Sequence, residues 1–180
     1  MVGFMTDYQP DLNTSARDLG LLVLRIGVGA PALQAGLVKF LDLRTVIDYM
    51  QAGGWSSPTM AALMVSLAET VGGAFLLLGL LTPLAATAVV AAMIDAWLVN
   101  VSAAAFWSDP FNVPFVLAFG GTAVLLAGAG TYSLDHRLWG RATWPRVVSV
   151  TLLLVAIAAA VVTWVVLNGT NPLHLTAPSS

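Results

Sequence analysis

Five stretches of apolar residues, each near the length of a membrane span, are separated along the chain by polar breaks. They run about Leu19–Leu41, Met60–Leu81, Leu84–Phe106, Phe111–Ala129 and Val147–Leu167. A helix of about 20 residues crosses a hydrocarbon core, so each stretch reads as one transmembrane helix. Backbone polar groups in lipid must be satisfied within the segment, which a helix achieves. Asn13-Thr14-Ser15 offers N-cap oxygens just ahead of the first helix. Residues 42–59 form a longer loop, in which Val46, Ile47, Tyr49, Met50 and Trp55 suit a short helix lying at the interface. Thr82-Pro83 makes a tight turn, so the second and third spans are antiparallel neighbours. Gly128, Gly130 and the polar stretch 131–146 end the fourth span, and Asn168-Gly169-Thr170-Asn171-Pro172 stops the fifth.

Composition supports a chain dissolved in lipid. Hydrophobic residues make up 58% and charged residues 9%, where a soluble domain carries roughly 25% charged. The formal charge of −2 provides no basic face for nucleic acid. The absence of Cys excludes disulfides, thiolate catalysis, iron–sulfur ligation and covalent haem attachment on this chain. His136 and His174 both fall outside the apolar stretches, so no haem is held between transmembrane histidines. No zinc spacing, Walker loop or nucleophile elbow is present. No metal or cofactor held by the usual ligands is expected, nor catalysis by this chain on its own. The first eighteen residues are polar, with Asp7, Asp11, Arg17 and Asp18. The apolar run after them exceeds the 7–15 residues of a signal-peptide core, so cleavage is not expected.

Five spans place the ends of the chain on opposite sides. One set of loops carries Arg17, Arg137, Arg141 and Arg146, and the other Lys39 and Arg44. The excess of Arg predicts a cytoplasmic N-terminus and an external C-terminus. Trp55, Trp107, Trp139, Trp144 and Trp164 lie near span ends, as an aromatic belt requires.

Four ionisable residues lie within or at the edge of the spans: Arg25, Lys39, Glu69 and Asp95. Each costs about 2.5–3.5 kcal/mol or more near the centre of a lone helix, so each needs compensation. At 1.5 Å per residue, Glu69 is about 18 Å and Asp95 about 16 Å from the Thr82-Pro83 side. Arg25 is about 9 Å from that side, with a long side chain to extend its reach. One reading is a buried polar cluster of Arg25, Glu69 and Asp95 that binds the head group of a membrane-soluble ligand such as a quinone, its two carboxylates suited to proton transfer. Another is an ion-pair lock that fixes helix register without a ligand. A third has Asp95 facing a partner subunit. Lys39 either snorkels to the interface or joins the site. Gln34 and Asn100 offer hydrogen bonds between helices, each worth about 1 kcal/mol. Gly27, Gly29, Ala32 and Gly36 in the first span, with Gly72, Gly73 and Gly79 in the second, permit close backbone approach.

Several motifs, in order, resemble the DoxX family of small bacterial membrane proteins. They are Leu24-Arg25, Gly36-Leu37-Val38-Lys39, Glu69-Thr70-Val71-Gly72-Gly73, Leu78-Gly79-Leu80-Leu81-Thr82-Pro83 and Gly128-Ala129-Gly130-Thr131-Tyr132-Ser133-Leu134-Asp135. The resemblance covers roughly Leu19 to Leu138. It implies a four-helix transmembrane bundle core with a fifth C-terminal transmembrane helix added. Residues 1–18 are then a polar cytoplasmic tail, 19–138 the core, and 139–180 the fifth helix with a short external tail. It also implies the bacterial plasma membrane, and association with oxidoreductase systems, a quinone-linked thiosulfate oxidoreductase among them. Members often carry His just before the Gly of Gly-x-x-Lys, where this chain has Ala35. They often carry an acid at the start of the fourth span, where this chain reads Asn112-Val113-Pro114. Both departures favour an accessory role. The expected function is an accessory or quinone-contacting subunit of a membrane oxidoreductase complex, with Arg25, Lys39, Glu69 and Asp95 as its polar site. Lipid and other membrane subunits are its expected partners. The alternative is a non-redox scaffold or lipid-binding protein whose fifth helix docks a partner.

Overall fold

The computed structural model describes residues 10–100 and 112–169. The end of the third span, the start of the fourth, Trp107 and both chain ends lie outside these residues. Within them the elements are α1 (Pro10–Leu41), α2 (Leu43–Ala52), α3 (Pro58–Leu78), α4 (Thr82–Asn100), α5 (Val113–Ala127), α6 (Leu134–Trp139) and α7 (Arg146–Thr163), the last continued by a π-helical turn, Trp164–Asn168. The described residues contain no strand. Four helices are long and apolar enough to cross a membrane, Thr14–Leu41, Pro58–Leu78, Thr82–Asn100 and Arg146–Asn168, and Val113–Ala127 is a shorter apolar helix. This is an all-α, multi-pass membrane protein.

The first helix begins earlier than its apolar run. It spans 32 residues from Pro10, so Asn13-Thr14-Ser15 lies inside it rather than ahead of it. Proline is tolerated in a first helical turn because its missing N–H has no partner there anyway. The polar residues of this extension are used. Asp18 is buried and accepts a 2.6 Å bond from Thr131 Oγ1, and Arg17 donates to the Ala127 carbonyl. These contacts tie the start of α1 to the segment after α5.

The centre of the bundle is the pair α1 and α3, which touch through backbone. A Cβ at Gly73 would lie 2.8 Å from Gly29 O, and one at Gly29 would lie 2.9 Å from Gly73 O. Gly36 faces Thr70 and the Ser66 carbonyl in the same way. In lipid, where no hydrophobic force drives helices together, such close approach supplies dispersion contacts instead. Val28, Ala32, Leu76, Val89 and Val124 then join α1, α3, α4 and α5 in one core, and α7 lies against α4.

The loop between the first two spans contains the expected short helix, α2. Asp42 caps it, accepting from Thr45 Oγ1 at 2.8 Å and from Thr45 N at 3.3 Å. Those two bonds hold the Asp42 carboxyl below its ordinary value of 3.8. Beyond α2, Trp55 is buried edge-on against Trp164, with ring centroids 5.6 Å apart. Ser56 N donates to Leu167 O at 2.6 Å. Both tryptophans therefore sit inside the bundle rather than in an aromatic belt, and they fasten α7 to the loop after α2.

Two outcomes follow in detergent-solubilised protein. Gly73→Ala is expected to lower the unfolding midpoint, since forcing a methyl between packed backbones costs about 1–3 kcal/mol. Gly20→Ala, where a Cβ meets nothing within 4 Å, is expected to hold or raise it by up to about 1 kcal/mol through helix propensity. The Asp42 cap contributes fully above pH about 4 and is lost as pH falls through its lowered folded value. Amide exchange at Thr45 is expected to quicken only below that range.

Candidate functional site

A cavity of about 640 Å³ lies in the half of the bundle near α2. Its walls come from α1, α2, α3, α4, α5 and α7, and they are mostly apolar, with Pro31, Ala35, Met50, Val65, Met93 and Leu117 among them. Tyr49 and Trp55 add aromatic surface. The charged groups on the wall are Lys39, Glu69 and Asp95.

These charges are positioned by the helix contacts already described. Gly36 lets α1 meet α3 at Ser66 and Thr70. The two helices run antiparallel, Gly29 meeting Gly73 and Gly36 meeting Thr70, so Glu69 lies level with Gly36. Lys39, about one turn further along α1, reaches back with its long side chain, and its Nζ is 2.5 Å from Glu69 Oε2. Glu69 is buried, while the Lys39 side chain keeps 28% of its surface. Lys39 does not snorkel; it neutralises Glu69. Asp95 lines the same cavity from α4, and its Oδ1 is buried with no hydrogen-bond partner. Thr45 and Asn100 also line it, although Asn100 donates within its own helix, to Ala96 O at 2.6 Å, rather than between helices. Gln34 is exposed.

Arg25 lies elsewhere, and the expected cluster with Glu69 and Asp95 is not formed. The side chain is completely buried at the far end of α3. Its Nη1 donates to Leu76 O at 3.2 Å and Leu77 O at 3.4 Å, and its Nη2 donates to Tyr132 O. Leu76 is seven residues past Glu69, or about 10 Å along the helix. The guanidinium thus donates to carbonyls of the last turn of α3, where Leu76 O also accepts from Gly79 N at 3.1 Å. Gly79, in the left-handed region at φ 64°, closes that helix. A Cβ there would overlap the Arg25 guanidinium, so only glycine fits.

Asp135 completes this arrangement, and the sequence reading assigned it no role. Fully buried, it accepts from Leu81 N at 2.7 Å and Thr82 N at 2.8 Å, while its own N–H donates to Gly79 O at 2.8 Å. It thereby caps α4 and holds Leu81 at φ 44°, an unfavourable conformation for a branched side chain. A signal was present. An arginine within a span needs a nearby anion, and Asp135 is one of few acids close to that end of the chain's spans.

Among the described residues no group of His, Cys, Asp and Glu could hold a metal ion. Residues 20–102 match the family model described as DoxX. Over those residues the chain is similar to the DoxX family. The matched region contains Arg25, Lys39, Glu69 and Asp95, and ends before Asp135. No curated protein and no solved structure matched the chain.

The chain thus has two polar centres with different duties. Arg25 and Asp135 secure the α3–α4 turn. Lys39, Glu69 and Asp95 face a cavity. Arg25→Lys is expected to destabilise the purified protein by about 2 kcal/mol or more, because a single ammonium on a shorter stem lacks the planar two-nitrogen fork that joins the α3 carbonyls to Tyr132 O. Thermal unfolding in detergent measures it.

Proposed function

We propose that this DoxX-like protein is an accessory, quinone-contacting subunit of a bacterial membrane oxidoreductase complex. The observation that carries the reading is the cavity of about 640 Å³ with apolar walls and three charged groups. Its size falls within the roughly 300–1,000 Å³ of small-ligand sites, and its few polar groups would set orientation. Lys39 gives one N–H to Glu69 and has two more for a ring carbonyl. Ala35 on the wall, where relatives often carry His, leaves room and removes one proton carrier. A bound quinone would supply the electron chemistry, and a partner subunit would deliver the electrons. Lys39 and Glu69 would hold the ring oxygen and a proton beside it.

The same reading places the chain in the plasma membrane with the α3–α4 turn on the cytoplasmic side. The four arginines at that end support this orientation. Because the chain has no Cys, single cysteines report on it directly. In intact cells a cysteine at position 54 is expected to react with an impermeant maleimide, and one at position 80 to be protected.

Purification in mild detergent tests the function. Co-purifying flavoprotein or cytochrome, or extractable quinone, is expected; their consistent absence overturns the proposal. Glu69→Gln is expected to leave assembly intact while quinone-dependent turnover of the complex falls about tenfold, the effect of losing one charge-assisted bond of about 1.4 kcal/mol. If Glu69→Gln only abolishes the folded protein, the Lys39–Glu69 pair is a register lock.

A further inference from the structure

The charges on the cavity wall do not balance. Lys39 and Glu69 neutralise each other at 2.5 Å, which leaves Asp95 as the remaining charged group of the lining. Its Oδ1 is buried and accepts no hydrogen bond. A carboxylate oxygen in apolar surroundings needs a proton or a cation to offset its charge. Among the described residues no cationic side chain reaches Asp95, for Lys39 is the only Lys or Arg on the wall and is spent on Glu69. The surrounding surface is suited to a large apolar body. Tyr49 and Trp55 present aromatic rings, and ring faces attract organic cations.

We propose that the cavity binds lipophilic cations, molecules with an apolar ring system and a single positive charge, with Asp95 as the counter-ion and Tyr49 and Trp55 as the aromatic wall. This goes beyond the quinone reading, since a quinone is uncharged and uses Lys39, and it stands on a different group. The cavity volume fits one such molecule. Three features of the site match three features of the ligand: apolar walls the ring system, aromatic faces the diffuse charge, and Asp95 its sign.

The test uses the full chain in phosphatidylcholine nanodiscs, with radiolabelled tetraphenylphosphonium as the cation and triphenylphosphine oxide as a neutral probe of related shape. Saturable tetraphenylphosphonium binding is expected, with the neutral probe at least about tenfold weaker. Asp95→Asn keeps the volume and polarity of the side chain but not its charge. It is expected to weaken the cation by about thirtyfold or more, as when one member of a desolvated charge pair is removed, and to leave the neutral probe unchanged. Asp95→Glu is expected to retain cation binding. Equal binding of tetraphenylphosphonium by wild type and Asp95→Asn, or no saturable binding by wild type, overturns the proposal. Should Asp95→Asn not fold, the wild-type preference for cation over neutral probe decides alone, and equal affinities refute the inference. Quinone extracted from the same preparations reports separately on the redox reading.

Discussion

A fully buried guanidinium in a chain surrounded by lipid must be given acceptors, and much of this fold is arranged around supplying them to Arg25. The acceptors come from three places: the last turn of α3, the Tyr132 carbonyl, and the field of Asp135 beyond the turn. Bringing them together requires α1 to lie against the end of α3 and residues 130–135 to fold back beneath both. The turn must also be tight, with glycine where the guanidinium passes and a strained Leu81 held by Asp135. Lost acceptors here would leave several buried polar groups unpaired at once, each costing about 1–3 kcal/mol. The turn end of the bundle is therefore its rigid end.

The opposite end has a different character. Lys39 and Glu69 meet because Gly36 brings α1 within backbone contact of α3, so the position of the ion pair is inherited from the packing of small residues. The cavity lies at this end, lined in part by α2 and Trp55, and α7 is fastened to the loop after α2 by Trp164 and Leu167. One helix pair thus fixes the turn at one end and places the charges of the site at the other.

The spans were legible because apolar length is a direct physical requirement of the bilayer. The short helix α2, the glycine contacts and the cavity residues Lys39, Glu69 and Asp95 also stood out in the sequence. The partners of the charges did not. Depth along a helix is readable from residue number, but azimuth is not, so Arg25, Glu69 and Asp95 were placed in one cluster when Arg25 turns to carbonyls at the other end. Backbone acceptors leave no mark in a sequence, and although Asp135 is an acid close to Arg25's end of the spans, its polar surroundings do not reveal that it is buried. Trp55 and Trp164 look like belt residues in the sequence for a similar reason: proximity to a span end does not reveal that the two rings turn inward and meet edge-on.

The separation of Arg25 from its acceptors has a consequence for biogenesis. Tyr132 follows Arg25 by 107 positions, and Asp135 comes later still, so the first span leaves the ribosome long before its cage exists. Until the fourth span has emerged, the arginine must remain hydrated or stay within the insertion machinery, because lipid offers it no acceptor. A product truncated before residues 132–135 would have an Arg25 without the Tyr132 acceptor or the nearby charge of Asp135.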